Sequence, residues 1–201
     1  MVDDERYVRR TLELARAAGA RGDEPFGALL VRGGDSGTAG EGVAGEGASG
    51  DRAAGEGTSG ERAAGEEASG ERAAGEETAP EVIAESENTV HSDGDVTAHP
   101  ELKLARWAAG ALDADALAAT TLYTSTEPCA MCAGAVYVAG LGRVVYGVSA
   151  ARAGDLVGTD RVVPASDVLE RGDVDVETVG PVLPEAGARV HEECWPAVDG
   201  E

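Results

Sequence analysis

Residues 128–132 read Pro128-Cys129-Ala130-Met131-Cys132, between a strand predicted over 120–126 and a helix predicted over 129–139. The two cysteines are three positions apart at the start of that helix, so both sulfurs project from one face. A helix N-terminus carries partial positive charge and free N–H groups, which favour the thiolate that binds a metal ion. A C-x-x-C spacing alone is compatible with a redox pair, a structural metal site or coincidence, so a second segment has to distinguish them.

That second segment is His99-Pro100-Glu101, at the start of the preceding predicted helix. His99 and Glu101 share a face there because the first residue is not yet helical, and Pro100 suits the first helical position. One imidazole and two thiolates give three zinc ligands and leave a fourth position for water, as in catalytic zinc sites. We therefore predict that His99, Cys129 and Cys132 bind one Zn²⁺. Glu101, a carboxylate that is not a ligand, is predicted to transfer protons.

The alternative is a closed structural zinc site with a fourth ligand from the protein. His191 and Cys194 are the candidates, beside Trp195 in a helix predicted near 184–195. Either residue reaches the metal only if the end of the chain folds over it. Core packing, or lining of the pocket, is the other role open to this segment.

The apolar and turn residues predict strands that alternate with helices, which is typical of an α/β sandwich with parallel connections. Predicted helices cover 3–19, 99–110, 129–139, 165–171 and 184–195. Predicted strands cover 26–31, 82–84, 120–126, 143–147 and 174–179. We expect the first two strands to pair as a hairpin and 88–95 to form a polar loop.

Between the first two strands, residues 41–80 contain four copies of a ten-residue unit close to E-R-A-A-G-E-E-A-S-G. The copies have no aromatic residue, and Val43 is their only large aliphatic one, so they bury too little surface to offset the entropy of ordering. We predict a disordered acidic insertion over 33–79, which a hairpin tolerates because loop closure depends weakly on length. The rest, 1–32 and 80–201, is predicted to be a single domain. A partner-binding or helix-forming role is the alternative for the insertion.

The chain carries 38 acidic and 16 basic residues, a net charge of −22, and Lys103 is its only lysine. So acidic a surface repels nucleic acid, because phosphate binding depends on Lys and Arg. The composition also resembles that of cytosolic proteins from extreme halophiles, in which such charge is an adaptation to the solvent. No apolar run is long enough to cross a membrane and the first residues are acidic, so we expect a cytoplasmic protein.

Three further runs extend the pattern: L-Y-T-S-T-E-P-C-A-M-C-A-G-A at 122–135, P-F-G-A at 25–28 and T-A-H at 97–99. They are similar to the cytidine deaminase superfamily, in the branch that contains guanine, cytosine and tRNA adenosine deaminases, and H-x-E followed by P-C-x-x-C is typical of zinc deaminases. The resemblance implies a three-layer α/β/α sandwich with a mixed five-stranded sheet, assembled as a homodimer. Two departures are Pro100, where the family usually has alanine or valine, and the insertion in the first hairpin.

The resemblance also implies substrate contacts. Asn88 matches the asparagine that hydrogen-bonds the target base in this branch. Phe26 and Ala98 are further candidates, although Phe26 is equally suited to core packing.

The predicted function is zinc-dependent hydrolytic deamination of a guanine- or cytosine-type base or nucleoside, a small-molecule substrate. Deamination of adenosine in tRNA is the alternative, and it is disfavoured because the sequence shows no basic track for the RNA. A non-enzymatic module held together by zinc is the third possibility.

Overall fold

The computed structural model describes residues 3–33, 79–159 and 162–195. Five strands form one sheet in the order β2-β1-β3-β4-β5. The strands are β1 Gly27–Arg32, β2 Glu81–Glu87, β3 Thr120–Thr126, β4 Arg143–Val148 and β5 Glu177–Val179. The described helices are α1 Asp4–Ala20, α2 Val90–Asp93, α3 Pro100–Ala111, α4 Ala114–Ala118, α5 Ala130–Ala139, α6 Ala150–Val157, α7 Ala165–Leu169 and α8 Pro184–Cys194.

The sheet is mixed, as the resemblance implies. β1 pairs antiparallel with both β2 and β3, whereas β3, β4 and β5 are parallel to one another. The predicted hairpin of the first two strands is confirmed, with a shift of register between Leu30 and Val31. Parallel strands need a crossover, which α5 provides between β3 and β4. The predicted parallel connections therefore hold for the second half of the sheet alone.

Helices cover both faces of the sheet, because alternate residues of a strand point to opposite sides. On one side the central strands pack with α3 and α5 through Leu30, Leu122, Val144, Leu104 and Val136. On the other side they pack with α1 through Leu29, Tyr123, Val145, Tyr7 and Val8. Helix α8 joins this second layer through Val190, which is buried with Leu12 and Ala15. The predicted α/β/α sandwich is confirmed.

Three short helices, α2, α4 and α6, are not predicted by the sequence patterns. Helix α2 lies in the expected polar loop, where Asp23 accepts hydrogen bonds from the backbone N–H groups of His91 and Ser92. Because Asp23 is distant in sequence, residues 90–93 themselves carry no pattern that predicts this helix. The other two helices have five and eight residues, too few to display a helical period of apolar residues.

The predicted insertion over 33–79 lies outside the described residues apart from its two end positions, so its disorder and the domain boundaries stay predictions. The strands on either side of it meet, since Arg32 pairs with Glu81. Among the described helices, none combines the length and the apolar character needed to cross a membrane.

Candidate metal centre and active site

The two segments singled out by the sequence form the N-termini of α5 and α3, two helices that pack against each other. Cys129 is the N-cap of α5, shortly after β3, and His99 is the N-cap of α3, followed by Pro100 at the first helical position. Both N-caps have extended backbone angles, and neither side chain caps its own helix. These side chains are therefore free to bind a metal ion.

The three predicted ligands converge. Nδ1 of His99 lies 3.8 Å from Sγ of Cys129 and 3.6 Å from Sγ of Cys132. All three ligand atoms lie within 4.8 Å of one another. A tetrahedral zinc ion, about 2.3 Å from sulfur and about 2.0–2.1 Å from nitrogen, separates these two kinds of atom by about 3.6 Å. The cluster therefore fits one Zn²⁺ held by three protein ligands.

The neighbours of Cys129 favour its thiolate. Hydrogen bonds from Cys132 and from His99 lower the pKa of Cys129 to about 4. The hydrogen bond with Cys129 in turn raises the pKa of His99. Zinc binds deprotonated sulfur and neutral imidazole, so metal binding releases the protons that these residues share.

Glu101 lies beside the ligands and is 4% exposed. Oγ1 of Thr124 donates a hydrogen bond of 2.5 Å to its Oε1, and its Oε2 lies 3.6 Å from Sγ of Cys132. Burial disfavours the charged carboxylate and raises the pKa of Glu101 above its ordinary value. A carboxyl group with a raised pKa is suited to both accepting and returning a proton.

A cavity of about 390 Å³ adjoins the metal ligands and Glu101. The volume lies towards the lower end of the roughly 300–1,000 Å³ typical of small-molecule sites. The lining includes the metal ligands His99 and Cys129 together with Glu101. It also includes the aromatic side chains of Phe26, His191 and Trp195. The rings of Phe26 and His99 are stacked with centroids 6.2 Å apart, so the wall next to the metal ligand is flat and apolar. Such a wall suits a planar heterocycle.

The three predicted substrate contacts occupy different environments. Phe26 lines the cavity, whereas Asn88 and Ala98 are buried, 0% and 6% exposed, and are not among its lining residues. Oδ1 of Asn88 accepts a hydrogen bond of 2.9 Å from the N–H of Val90, and its Nδ2 lies 3.4 Å from Oε2 of Glu24. The Asn88 amide therefore faces a carboxylate of the cavity wall.

The sequence patterns miss three residues that shape this site. Glu24 and Glu127 line the cavity, and Thr124 binds Glu101. Both oxygens of Glu127 are occupied, because they accept hydrogen bonds from the N–H groups of Ala150 and Ala165. Thr124 could have been found from the sequence, because it is a polar residue in a buried strand. The roles of the two glutamates depend on contacts with residues distant in sequence.

The proposed fourth ligands from the end of the chain do not join the cluster. Within 3–33, 79–159 and 162–195, the metal-binding group consists of His99, Cys129 and Cys132. Nε2 of His191 is hydrogen-bonded to Oγ1 of Thr126 at 2.9 Å. Cys194 packs at Gly19 of α1, where an added methyl group would lie 3.2 Å from its sulfur. His191 lines the cavity, which is the role the sequence leaves open for this segment.

Comparison with known proteins assigns the family. The model of the cytidine and deoxycytidylate deaminase zinc-binding region matches residues 1–148, a range that contains all three ligands and Glu101. The chain belongs to this family, and the resemblance seen in the sequence is confirmed.

Proteins similar to this chain are named for different activities. A probable cytosine deaminase of Schizosaccharomyces pombe is 32% identical over 127 residues, covering 57% of this chain and 76% of that protein. Guanine deaminase of Bacillus subtilis is 46% identical over 65 residues, covering 32% of this chain and 42% of that protein. A tRNA(Ile)-lysidine synthase of Deinococcus radiodurans is 42% identical over 78 residues, 39% of this chain, and the match spans 13% of the length of that protein.

Two solved structures share the fold. Guanine deaminase from Nitrosomonas europaea superposes with a TM-score of 0.57 at 22% identity, covering 96% of this chain and 84% of that chain. A structure from work on A-to-I editing by tRNA:A34 deaminases gives a TM-score of 0.58 at 22% identity, covering 92% of this chain and 99% of that chain. At such identities the likeness defines the fold and leaves the substrate open.

Proposed function

We propose that the chain is a zinc-dependent hydrolytic deaminase that acts on a guanine- or cytosine-type base or nucleoside and releases ammonia. Glu101 carries this proposal, because it is a buried carboxyl group that adjoins the metal ligands and lines the cavity. A closed structural zinc site needs neither a cavity nor an additional carboxyl group.

The proposed reaction requires proton transfer in two directions. When bound, Zn²⁺ supplies a water whose pKa is lowered towards neutrality. Glu101 would accept one proton from the attacking water and deliver it to the ring nitrogen next to the amino-bearing carbon. Glu101 then takes the remaining proton from the hydroxyl group on that carbon and passes it to the amino nitrogen. The C–N bond breaks to release ammonia, and the oxygen stays on the ring carbon as a carbonyl. Thr124 holds Oε1 of Glu101 throughout, so the carboxyl group keeps one orientation.

The walls of the cavity support the proposed class of substrate. Phe26 offers a flat apolar surface beside His99, and Glu24 and Glu127 place carboxylates in the same lining. Carboxylates attract N–H donors and repel phosphate. An uncharged base or nucleoside is therefore favoured over a nucleotide.

The test is ammonia release by the zinc-loaded full-length chain in molar salt, screened over guanine, cytosine, adenine and their nucleosides. Glu101→Ala is expected to retain one zinc per chain and lose ammonia release, whereas Glu170→Ala, a change at an exposed position, should keep both. Activity of the Glu101 variant at the wild-type rate would contradict its role. A zinc-loaded wild-type chain inactive on every substrate would favour a non-catalytic zinc module.

Deamination of adenosine in tRNA is the second candidate, supported by the shared fold with the tRNA:A34 deaminase structure. The net charge of −22 and the carboxylates in the cavity wall oppose it. Inosine formation in tRNA, measured in parallel with the screen at low and high salt, decides between the two.

We also propose that the chain forms a homodimer through α3 and α5. Val138 and Met131 of α5 and Trp107 of α3 are exposed by 83%, 37% and 45%. Helix α5 is apolar on nearly all sides, which is typical of a helix that is covered on all sides. Val138→Glu is expected to convert a dimer into a monomer in light scattering, and a wild-type chain that is monomeric at every concentration would contradict the proposal.

A further inference from the structure

Glu24 is a carboxylate fixed at the wall of the cavity. It lies in the turn between α1 and β1, and Asp23 anchors this turn by accepting hydrogen bonds from the N–H groups of His91 and Ser92. On its other side, Glu24 precedes Pro25, whose ring restricts the backbone. The side chain lines the cavity that contains His99 and Glu101. A carboxylate held in this way presents a defined acceptor to whatever enters.

Asn88 orients this carboxylate from behind. The Asn88 side chain is fully buried, and the N–H of Val90 fixes the orientation of its amide by donating to Oδ1 at 2.9 Å. Nδ2 therefore faces Oε2 of Glu24, at 3.4 Å. In the described part of the chain, Oε1 of Glu24 has no hydrogen-bond partner. One oxygen is thus positioned and the other is available to a ligand.

The other two carboxyl groups of the lining differ from Glu24. Both oxygens of Glu127 accept backbone N–H groups, at 2.9 Å and 2.8 Å. Glu101 is bound by Thr124 and adjoins Cys132. Glu24 is therefore the carboxylate of the described lining that has an uncommitted oxygen for substrate recognition.

We infer that Glu24 determines specificity by accepting a hydrogen bond from the ring N–H of a free base, and that Asn88 is the positioning residue for Glu24. A nucleoside lacks this N–H, because the sugar occupies the same nitrogen. A bound nucleoside would shield the Glu24 carboxylate from water without donating a hydrogen bond to it, which costs affinity. The substrate class is thus the free base, and this inference rests on the proposed deaminase function.

The experiment compares bases with derivatives that differ by this one N–H. The probes are cytosine with 1-methylcytosine and guanine with 9-methylguanine, measured by ammonia release and by calorimetric binding to the zinc-loaded chain. The wild type is expected to favour the parent base. Glu24→Gln, which replaces a charged acceptor by a neutral one, is expected to lower kcat/KM for the parent about tenfold and for the methyl derivative much less. Glu81→Gln, on an exposed position of β2, is the matched control.

Asn88 is tested in the same assay. Asn88→Ala is expected to raise KM for the parent base more than it lowers kcat, and to have little further effect when Glu24→Gln is already present. Additive effects of the two substitutions would overturn the positioning role and indicate direct contact of Asn88 with the base.

The outcomes separate this inference from the proposed function. Ammonia release with an unchanged ratio between parent and methyl derivative in Glu24→Gln would overturn the role of Glu24 and leave the deaminase intact. If the wild type binds the parent bases but releases no ammonia, the ratio of the dissociation constants of parent and methyl derivative tests Glu24 instead. A ratio that Glu24→Gln leaves unchanged would overturn the role of Glu24. If the wild type neither binds nor deaminates any probe, both proposals are wrong.

Discussion

Oγ1 of Thr124 donates a hydrogen bond of 2.5 Å to Oε1 of Glu101, and both side chains are buried. Thr124 lies in the central strand β3, whereas Glu101 lies in the first turn of α3. The bond thus ties the proposed proton-transfer group to the rigid centre of the sheet. It occupies one oxygen of the carboxyl group and leaves Oε2 on the side of the ligand Cys132.

Removal of this hydrogen bond is expected to slow catalysis without loss of the metal. Thr124→Val preserves the shape of the side chain but leaves Oε1 of Glu101 without its donor. One lost hydrogen bond to a carboxylate corresponds to about 1.5–3 kcal/mol, so kcat is expected to fall at least about tenfold. Ammonia release and zinc content are measured together. A variant with unchanged kcat would show that Thr124 does not position Glu101.

The zinc site can be tested with two cysteines of different surroundings. Cys132→Ser removes a predicted ligand and is expected to reduce bound zinc well below one per chain, because hydroxyl is a poor substitute for thiolate. Cys194→Ser is the matched control, since Cys194 packs at Gly19 away from the cluster. Metal analysis of both purified variants provides the measurement. Loss of zinc from the Cys194 variant would favour the closed structural zinc site over the catalytic one.

His191 is expected to make stability depend on pH. Burial lowers the pKa of His191 to about 4 from its ordinary 6.5, because the charged imidazole is desolvated. As the pH falls, the unfolded chain therefore binds this proton first. The contribution of neutral His191 to the free energy of unfolding is complete above pH 6.5. It decreases as the pH falls from 6.5 to 4, by about 3 kcal/mol at most.

The comparison for this prediction is His191→Gln, which can retain a hydrogen bond to Thr126 but does not titrate. Urea unfolding of both zinc-loaded proteins between pH 4 and 7, at roughly one-unit intervals, gives the difference in slope, and the titration of the metal ligands cancels. Parallel stability curves for the two proteins would contradict the prediction.

Glu127 is expected to hold the outer wall of the cavity. Its two oxygens accept the N–H groups of Ala150 and Ala165, at the starts of α6 and α7. Glu127→Gln replaces one acceptor by a donor that faces another donor, so we expect a loss of about 1–3 kcal/mol in the free energy of unfolding. We also expect a higher KM with unchanged zinc content. Unfolding and steady-state kinetics measure both effects, and a variant with wild-type stability would refute this account.

The metal site was predictable because its information is local. His99 and Cys129 begin helices, and Cys132 follows Cys129 by the spacing that places two sulfurs on one face. Strand β3 also coincides with its predicted range, 120–126, since its polar ends and apolar centre form a short uninterrupted run.

The walls of the cavity were not predictable in the same way. Asn88 faces Glu24 across 64 positions of sequence, and Glu127 binds residues 23 and 38 positions later. No periodicity records such contacts. The packing of the helices creates them, so sequence patterns identify the metal ligands and Glu101 better than the other residues that line the cavity.

The pairing of Arg32 with Glu81 has a practical consequence. The chain leaves the sheet and returns to it at adjacent positions, so the β1–β2 pair itself holds the two ends of the intervening segment together. Loop-closure entropy changes by only about 0.6 kcal/mol for each doubling of length. We therefore expect that the segment between residues 33 and 80 can be shortened, or can carry a reporter domain, without displacing the cluster at α3 and α5.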